Sequence, residues 1–205
     1  VEGRKMSKSL GNYYTLKDIL KKGYEWREVR LLLLSAHYRQ QLNFTFKALD
    51  SAKKSVERII SLIRRLKEVK EGEHSEKFDE LIENARKRFL ESVNDDLNTP
   101  QALAVVFNFV SEVNKLIEEK KLTEADAEKA INLFLWFDEV LGLKLDEFLK
   151  EEELPEEVKE LIKEREEARK RKDWEKADRI REEIKEKYGI WLEDTAEGVK
   201  WKRVR

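Results

Sequence analysis

The sequence predicts a mainly α-helical chain that ends in a small α+β unit. Three observations carry this. Only two prolines and seven glycines occur in 205 residues, so little interrupts regular backbone. Long stretches place apolar residues at steps of three and four, the spacing of one helix face. From Ile190 onward the pattern changes to short alternating runs, the spacing of strands.

Each element follows from local signals. Thr15 caps a short helix from Leu16, Asp18 completes a capping box, and Gly23 ends it. A second helix over 26–36 carries Val29, Leu31, Leu32, Leu33 and Leu34. It is apolar nearly all round, so burial is expected. A third over 46–69 repeats Phe46, Leu49, Ala52, Val56, Ile59, Ile63 and Leu66 along one face. Glu71-Gly72-Glu73-His74 reads as a turn, and a fourth helix runs to about Val93. Thr99 as cap and Pro100 at the first helical position open a fifth, through Val106, Phe109, Val113 and Ile117. Thr123 and Asp126 cap a sixth, with Ile131, Phe134, Leu135 and Val140. Four of these helices are long enough for an antiparallel bundle.

Residues 146–160 hold eight acids against two lysines, with Pro155 among them, which reads as a linker or an exposed helix start. A helix over 155–172 breaks at Asp173, a second N-cap, and the next helix ends at Tyr188-Gly189. Ile190-Trp191-Leu192 and Val199-Lys200-Trp201 then form a hairpin around the connection Asp194-Thr195-Ala196-Glu197-Gly198. The expected division is a front loop with connecting helices (1–43), a helical bundle (44–145), an acidic linker (146–160) and the α+β tail (161–205).

Apolar residues make up 40 % of the chain, enough to fold, and charged residues 42 %. The net charge of −1 gives no global attraction to nucleic acid or membrane, so any basic surface must be local. Without cysteine there is neither a disulfide nor a thiolate metal site, which fits a reducing cytosol, and a cytoplasmic location is expected. No apolar run approaches the roughly 18 residues of a membrane span, the start has no signal-peptide pattern, and no membrane partner is expected. Val1-Glu2-Gly3-Arg4 is no natural beginning, and the chain is expected to be cut from a longer protein.

The most informative residues are Lys5-Met6-Ser7-Lys8-Ser9, followed by Leu10-Gly11-Asn12. Two point charges on a loop rich in Ser and Gly suit a polyphosphate whose negative charge shifts during reaction. Such lysines bind a transition state more strongly than a ground state. The run resembles the second signature of class I aminoacyl-tRNA synthetases. That resemblance implies a loop closing over ATP through Lys5, Met6, Ser7, Lys8 and Ser9. It gives Lys5 and Lys8 the catalytic task of stabilising the leaving pyrophosphate, Lys8 above all.

Three further stretches are similar to the cysteinyl-tRNA synthetase family. They are Leu33-Leu34-Ser35-Ala36-His37-Tyr38-Arg39-Gln40-Gln41-Leu42-Asn43-Phe44, then Asn94-Asp95-Asp96-Leu97-Asn98-Thr99-Pro100-Gln101-Ala102-Leu103, then the tail from Arg165 through Ala177-Asp178-Arg179-Ile180-Arg181 to Leu192-Glu193-Asp194-Thr195. The tail departs from the family pattern at Ala196 and at Val199-Lys200. The resemblance implies activation of cysteine with ATP and transfer to a cysteine tRNA. It puts the His-Ile-Gly-His signature, the nucleotide-binding sheet and a zinc set in a catalytic domain upstream, which would be this chain's partner. No metal is expected in this chain itself. The alternatives are another class I synthetase and a non-catalytic helical module that binds RNA or protein. On plainer grounds, His37 is expected to pack or cap its helix end, and Asp95, Asp96 and Asn98 to form a turn rather than a metal site.

Unpaired RNA bases are held by stacking on flat side chains and by hydrogen bonds to their edges. The tail offers Trp174, Trp191 and Trp201 as flat faces, with Trp191 also expected in its core. Arg165, Arg169, Arg179 and Arg181 suit base edges or phosphates, and Asp178 and Asp194 suit amino groups. Trp174 and Asp178, four apart, share a helix face. Residues 198–205 carry four basic groups and no acid, a local phosphate-facing patch. The resemblance makes the tail an anticodon-binding domain and assigns anticodon contact to Arg169, Trp174, Asp178 and Asp194.

Overall fold

The computed structural model describes residues 1–150, 154–195 and 198–203. It divides into two compact units, Val1–Lys150 and Glu151–Arg205. No helix among the described residues is long and apolar enough to cross a membrane.

The first unit opens with the front loop and α1 (Leu16–Lys21). The Thr15 hydroxyl accepts from the Asp18 amide at 3.2 Å, and the Asp18 carboxylate accepts from the Thr15 amide at 2.9 Å, so the capping box closes. In α2 (Trp26–Leu34) the expectation of all-round burial needs correction. Leu31 and Leu32 are buried, but Leu33 is 56 % exposed. The α2 helix packs mainly along α3, so one side stays open while the buried side takes in Arg27 and Glu28. Arg27 satisfies its burial by donating Nε–H to the Leu143 carbonyl at 2.7 Å and by pairing with Glu147.

Four long helices follow: α3 (Phe46–Glu68), α4 (Glu76–Asn94), α5 (Thr99–Glu118) and α6 (Glu124–Leu141). The α3 stripe Leu49, Ala52, Val56, Ile59, Ile63 and Leu66 is buried as its spacing predicts. At one end of the bundle the α3–α4 connection meets the α5–α6 connection. The Glu73 amide donates to the Lys120 carbonyl at 2.9 Å, and a Cβ on Gly72 would stand 2.1 Å from the Leu122 carbonyl oxygen. Only glycine permits that approach. At the other end α2 meets both the start of α5 and the end of α6: the Thr99 hydroxyl donates to the Leu34 carbonyl at 2.8 Å, and Arg30 Nε–H donates to the Leu141 carbonyl. The four helices therefore alternate in direction, as in an antiparallel bundle. Phe78, Phe89, Phe109, Phe134 and Phe137 fill its centre, with the Phe89 and Phe137 rings 4.6 Å apart. A short 3₁₀ helix, Leu145–Phe148, closes the unit.

The cap of α5 is Asn98 rather than Thr99. Asn98 Oδ1 accepts from the Gln101 amide at 3.2 Å. Asp96 and Leu97 both adopt left-handed backbone, with φ of 52° and 54°. They turn the chain one residue earlier than the Thr-Pro signal suggests and free the Thr99 hydroxyl to hold α2.

The second unit contains α7 (Glu156–Lys170), α8 (Trp174–Tyr188) and an antiparallel hairpin of β1 (Ile190–Thr195) and β2 (Gly198–Arg203). Asp173 caps α8 by accepting from the Lys176 amide at 3.1 Å, and Gly189 ends it at φ 64°. Val158, Ile180, Ile184, Ile190 and Leu192 form the core. Successive side chains on a strand face opposite ways. Ile190 and Leu192 point inward, so Trp191 points the other way, half-buried beneath the Lys185 ammonium at 5.3 Å. Trp201, paired with Leu192 across the hairpin, packs against the core in its place.

Candidate functional site

The front loop is better held than its Ser and Gly content predicts. Asn12 staples it: Oδ1 accepts from the Ser7 amide at 2.8 Å, and Nδ2–H donates to the Lys5 carbonyl at 3.0 Å. Its start is tied to the irregular stretch before α3. The Glu2 amide donates to the Phe44 carbonyl at 2.9 Å, and the Gly3 amide donates to Asn43 Oδ1 at 2.9 Å. The side chains of Lys5, Met6, Lys8 and Ser9 remain exposed, and Ser7 is half-buried with its hydroxyl 2.7 Å from that of Ser9. Lys8 Nζ lies 5.5 Å from the Tyr13 ring centre, a weak cation–π contact that leaves the charge available. The backbone is thus shaped while both ammonium groups face outward.

Two of the informative sequence stretches meet at the turn after α2. Tyr38 donates its hydroxyl to Asp96 at 2.6 Å, and Arg39 Nε–H reaches the same carboxylate at 2.7 Å. The Tyr38 hydrogen bond is the main reason that the Asp96 carboxyl lies below its ordinary range, with Arg39 adding to it. His37 Nδ1 accepts from the Arg39 amide at 3.2 Å, which leaves Nε2–H to donate to the Asp96 carbonyl at 3.1 Å. His37 and Asp96 are therefore both engaged in joining the two turns.

In the second unit, Trp174 stands at the first position of α8 and is 58 % exposed. Asp178 lies one turn on, mostly exposed, 3.3 Å from Arg181. These two groups share a face as the spacing predicts. Arg169 and Asp194 form a separate pair: Arg169 on α7 contacts Asp194 on β1. Arg165, one turn before Arg169, donates both terminal nitrogens to the Asp194 oxygens at 2.9 and 2.8 Å. This fork is the largest cause of the depressed Asp194 pKa, and burial opposes it. The side chains of Lys200, Lys202, Arg203 and Arg205 lie outside the described residues, as do Ala196 and Glu197. Sequence reasoning placed Arg165 among possible base contacts. Its burial behind Asp194 comes from packing between α7 and the hairpin, which no local signal encodes.

His74, Asp79 and Asp126 are the one group among the described residues with metal-ligand spacing. Their geometry is that of ion pairs. His74 Nδ1 faces Asp126 at 3.0 Å and Nε2 faces Asp79 at 3.0 Å. Each carboxylate calls for an N–H, and only a protonated ring has two. Lys129 Nζ also stands 3.1 Å from Asp79 and 3.7 Å from Asp126, so two cations balance the two acids. The hydrogen bond to Asp126 is the largest cause of the raised His74 pKa. A raised pKa stabilises the fold below the ordinary histidine range, and that contribution is lost as pH rises through the higher folded value. Denaturant midpoints should therefore favour the parent chain over His74→Gln at about pH 5.5, and the gap should shrink toward about pH 9. A gap that stays constant over that range would show that folding does not raise the His74 pKa.

Three family matches run along the chain in order. Residues 1–54 match the tRNA synthetases class I (C) catalytic domain. Residues 88–146 match the DALR domain, and residues 151–201 match the cysteinyl-tRNA ligase anticodon binding domain. Cysteine–tRNA ligase of Protochlamydia amoebophila (strain UWE25) is 41 % identical over 204 residues, 99 % of this chain and 42 % of the relative. The chain belongs to the cysteine–tRNA ligase family. Cysteine–tRNA ligases of Chlamydia muridarum (strain MoPn / Nigg), 39 % identical over 215 residues, and Halalkalibacterium halodurans (strain ATCC BAA-125 / DSM 18197 / FERM 7344 / JCM 9153 / C-125), 39 % over 207 residues, cover 100 % and 99 % of it. The chain spans 44 % of each of those two relatives, so these family members are more than twice its length. Within the family frame the front loop falls in the catalytic match and α7 to β2 fall in the anticodon-binding match.

Proposed function

We propose that this chain is the tRNA-handling part of an enzyme that activates cysteine with ATP and transfers it to a cysteine tRNA in the cytoplasm. Lys5, Met6, Ser7, Lys8 and Ser9 close over ATP, and Lys5 and Lys8 meet the negative charge that develops on the leaving pyrophosphate. Arg169, Trp174, Asp178 and Asp194 contact the anticodon. The functional division is 1–43 for the loop and its supports, 44–145 for the bundle, 146–160 for the connection and 161–205 for anticodon reading. The adenosine and cysteine pockets, and any zinc, belong to a catalytic domain upstream.

The observation that carries this reading is the order of the matched regions: a loop, a helical domain and an anticodon unit follow one another at about two-fifths identity over the whole chain. Two features of the geometry support it. The loop lysines point outward from a stapled backbone, and Trp174 presents a bare indole beside Asp178.

Exchange of labelled pyrophosphate into ATP tests the division of labour. With cysteine and ATP, the 205-residue chain alone should show no exchange above background, because its lysines steady a leaving group but form no pocket for either substrate. The chain joined to its catalytic domain should show it. Exchange by the chain alone, after rigorous removal of host enzyme, would overturn this assignment.

A further inference from the structure

Asp194 is shared between two arginines that differ sharply in exposure. The Arg165 side chain is 3 % exposed and the Arg169 side chain 37 %. Arg165 meets the carboxylate as a parallel fork, at 2.9 and 2.8 Å, and Arg169 reaches Oδ1 from one helical turn further along α7. A carboxylate offers about four lone-pair directions. Among the described residues the two arginines use three, so one remains for an incoming donor.

The arrangement is costly in two ways. Arg165 and Arg169 are like charges four apart on one helix face, which repel. Burying a guanidinium carries a desolvation penalty that an apolar side chain of similar size avoids, and Arg165 Nε has no hydrogen-bond partner among the described residues. Core packing alone therefore does not account for an arginine at this position. The fork does supply something specific. It fixes the carboxylate plane, and with it the place of the Arg169 head group and the direction of the free lone pair.

The geometry points to Arg165 as a positioning residue for anticodon discrimination, acting through Asp194 on Arg169 without touching RNA itself. This rests on the assignment of the second unit to anticodon reading. Arg165 sets specificity, because a base edge must meet both a fixed donor and a fixed acceptor, whereas phosphate contacts tolerate movement.

The test measures affinity of the full chain for cysteine tRNA and for the same transcript with a changed anticodon. The variants are Arg165→Lys, Arg165→Met, Arg169→Ala and the Arg165→Met/Arg169→Ala double. Arg165→Met should lower the affinity ratio between the two tRNAs by roughly tenfold, as expected for misplacing one charge-assisted hydrogen bond, while the changed tRNA binds about as before. Arg165→Lys keeps the charge and the fold but not the planar fork, and should lose most of the same discrimination. In the Arg169→Ala background, Arg165→Met should add little, because residues acting in one chain are not additive. Equal weakening toward both tRNAs, additive losses in the double variant, or full discrimination by Arg165→Lys would each overturn the positioning role. If the parent chain itself fails to discriminate, the anticodon assignment falls and this proposal falls with it. Discrimination kept by the parent and by every Arg165 variant removes the positioning role alone.

Discussion

Lys8→Ala, made in the chain joined to its catalytic domain, is expected to slow cysteine activation by about 10²–10³, the usual consequence of removing one preorganised group aimed at developing charge. ATP affinity should change far less. The Lys8 ammonium is exposed, and its one contact among the described residues is with the Tyr13 ring, 5.5 Å from its centre, so the fold does not depend on it. The polyphosphate gains its extra negative charge as the bond to the leaving group breaks, and a lysine placed to meet that charge acts mainly on the rate. Single-turnover kinetics across a range of ATP concentrations separates the two effects. A variant with weakened ATP binding and a normal activation rate would make Lys8 a ground-state binder, contrary to its proposed role. Asn12 offers a control: Asn12→Ala should leave both lysines in place but release the loop backbone that the amide side chain holds through Ser7 and Lys5.

How far the sequence alone reveals this structure depends on the range of the forces involved. Local signals carry well. The Thr15 and Thr123 capping boxes, the Asp173 cap, the Gly189 stop and the α3 stripe all appear where pattern places them, because each is decided within about one turn of helix. The hairpin is likewise local, since its two alternating runs are close in sequence.

What pattern misses is tertiary. Leu33 reads as core but lies on the side of α2 that α3 does not cover. The Thr99-Pro100 signal loses the cap to Asn98 because two left-handed residues turn the chain first. Trp191 and Trp201 look equivalent in sequence, and only strand alternation against the α8 core sends one outward and the other inward. The site divides in the same way. Trp174 and Asp178 are paired by helix geometry and visible from their spacing. The Arg165–Asp194–Arg169 contact joins residues 29 positions apart and is set by packing of α7 on the hairpin.

Trp174→Ala is expected to weaken binding of cysteine tRNA by roughly one to two decades, since losing one base stack costs about 1–3 kcal/mol. The indole is 58 % exposed at the start of α8, outside the core of Val158, Ile180, Ile184, Ile190 and Leu192, so its removal should leave the unit folded. The loss should be largely independent of base identity, because every base has a face to stack. Asp178→Ala should act differently. Its carboxylate is mostly exposed and only loosely paired with Arg181 at 3.3 Å, which leaves acceptor capacity for a base edge. Discrimination among anticodons should relax while overall affinity falls less. Substitution of Lys200, Lys202 and Arg203 should weaken all tRNAs alike and flatten the dependence on salt, as loss of phosphate contacts does. A Trp174→Ala chain that binds as tightly as the parent would remove the stacking role.

The central claim is that the α7–β2 unit reads an anticodon, and one equilibrium measurement tests it most directly. The unsubstituted 205-residue chain is titrated against cysteine tRNA and against the same tRNA with its anticodon bases changed, at one fixed salt concentration. Tighter binding of the unaltered tRNA, with the difference reduced by Asp178→Ala, is the predicted result. Equal affinity for the two tRNAs would contradict the claim and leave the unit as a nonspecific RNA-binding surface.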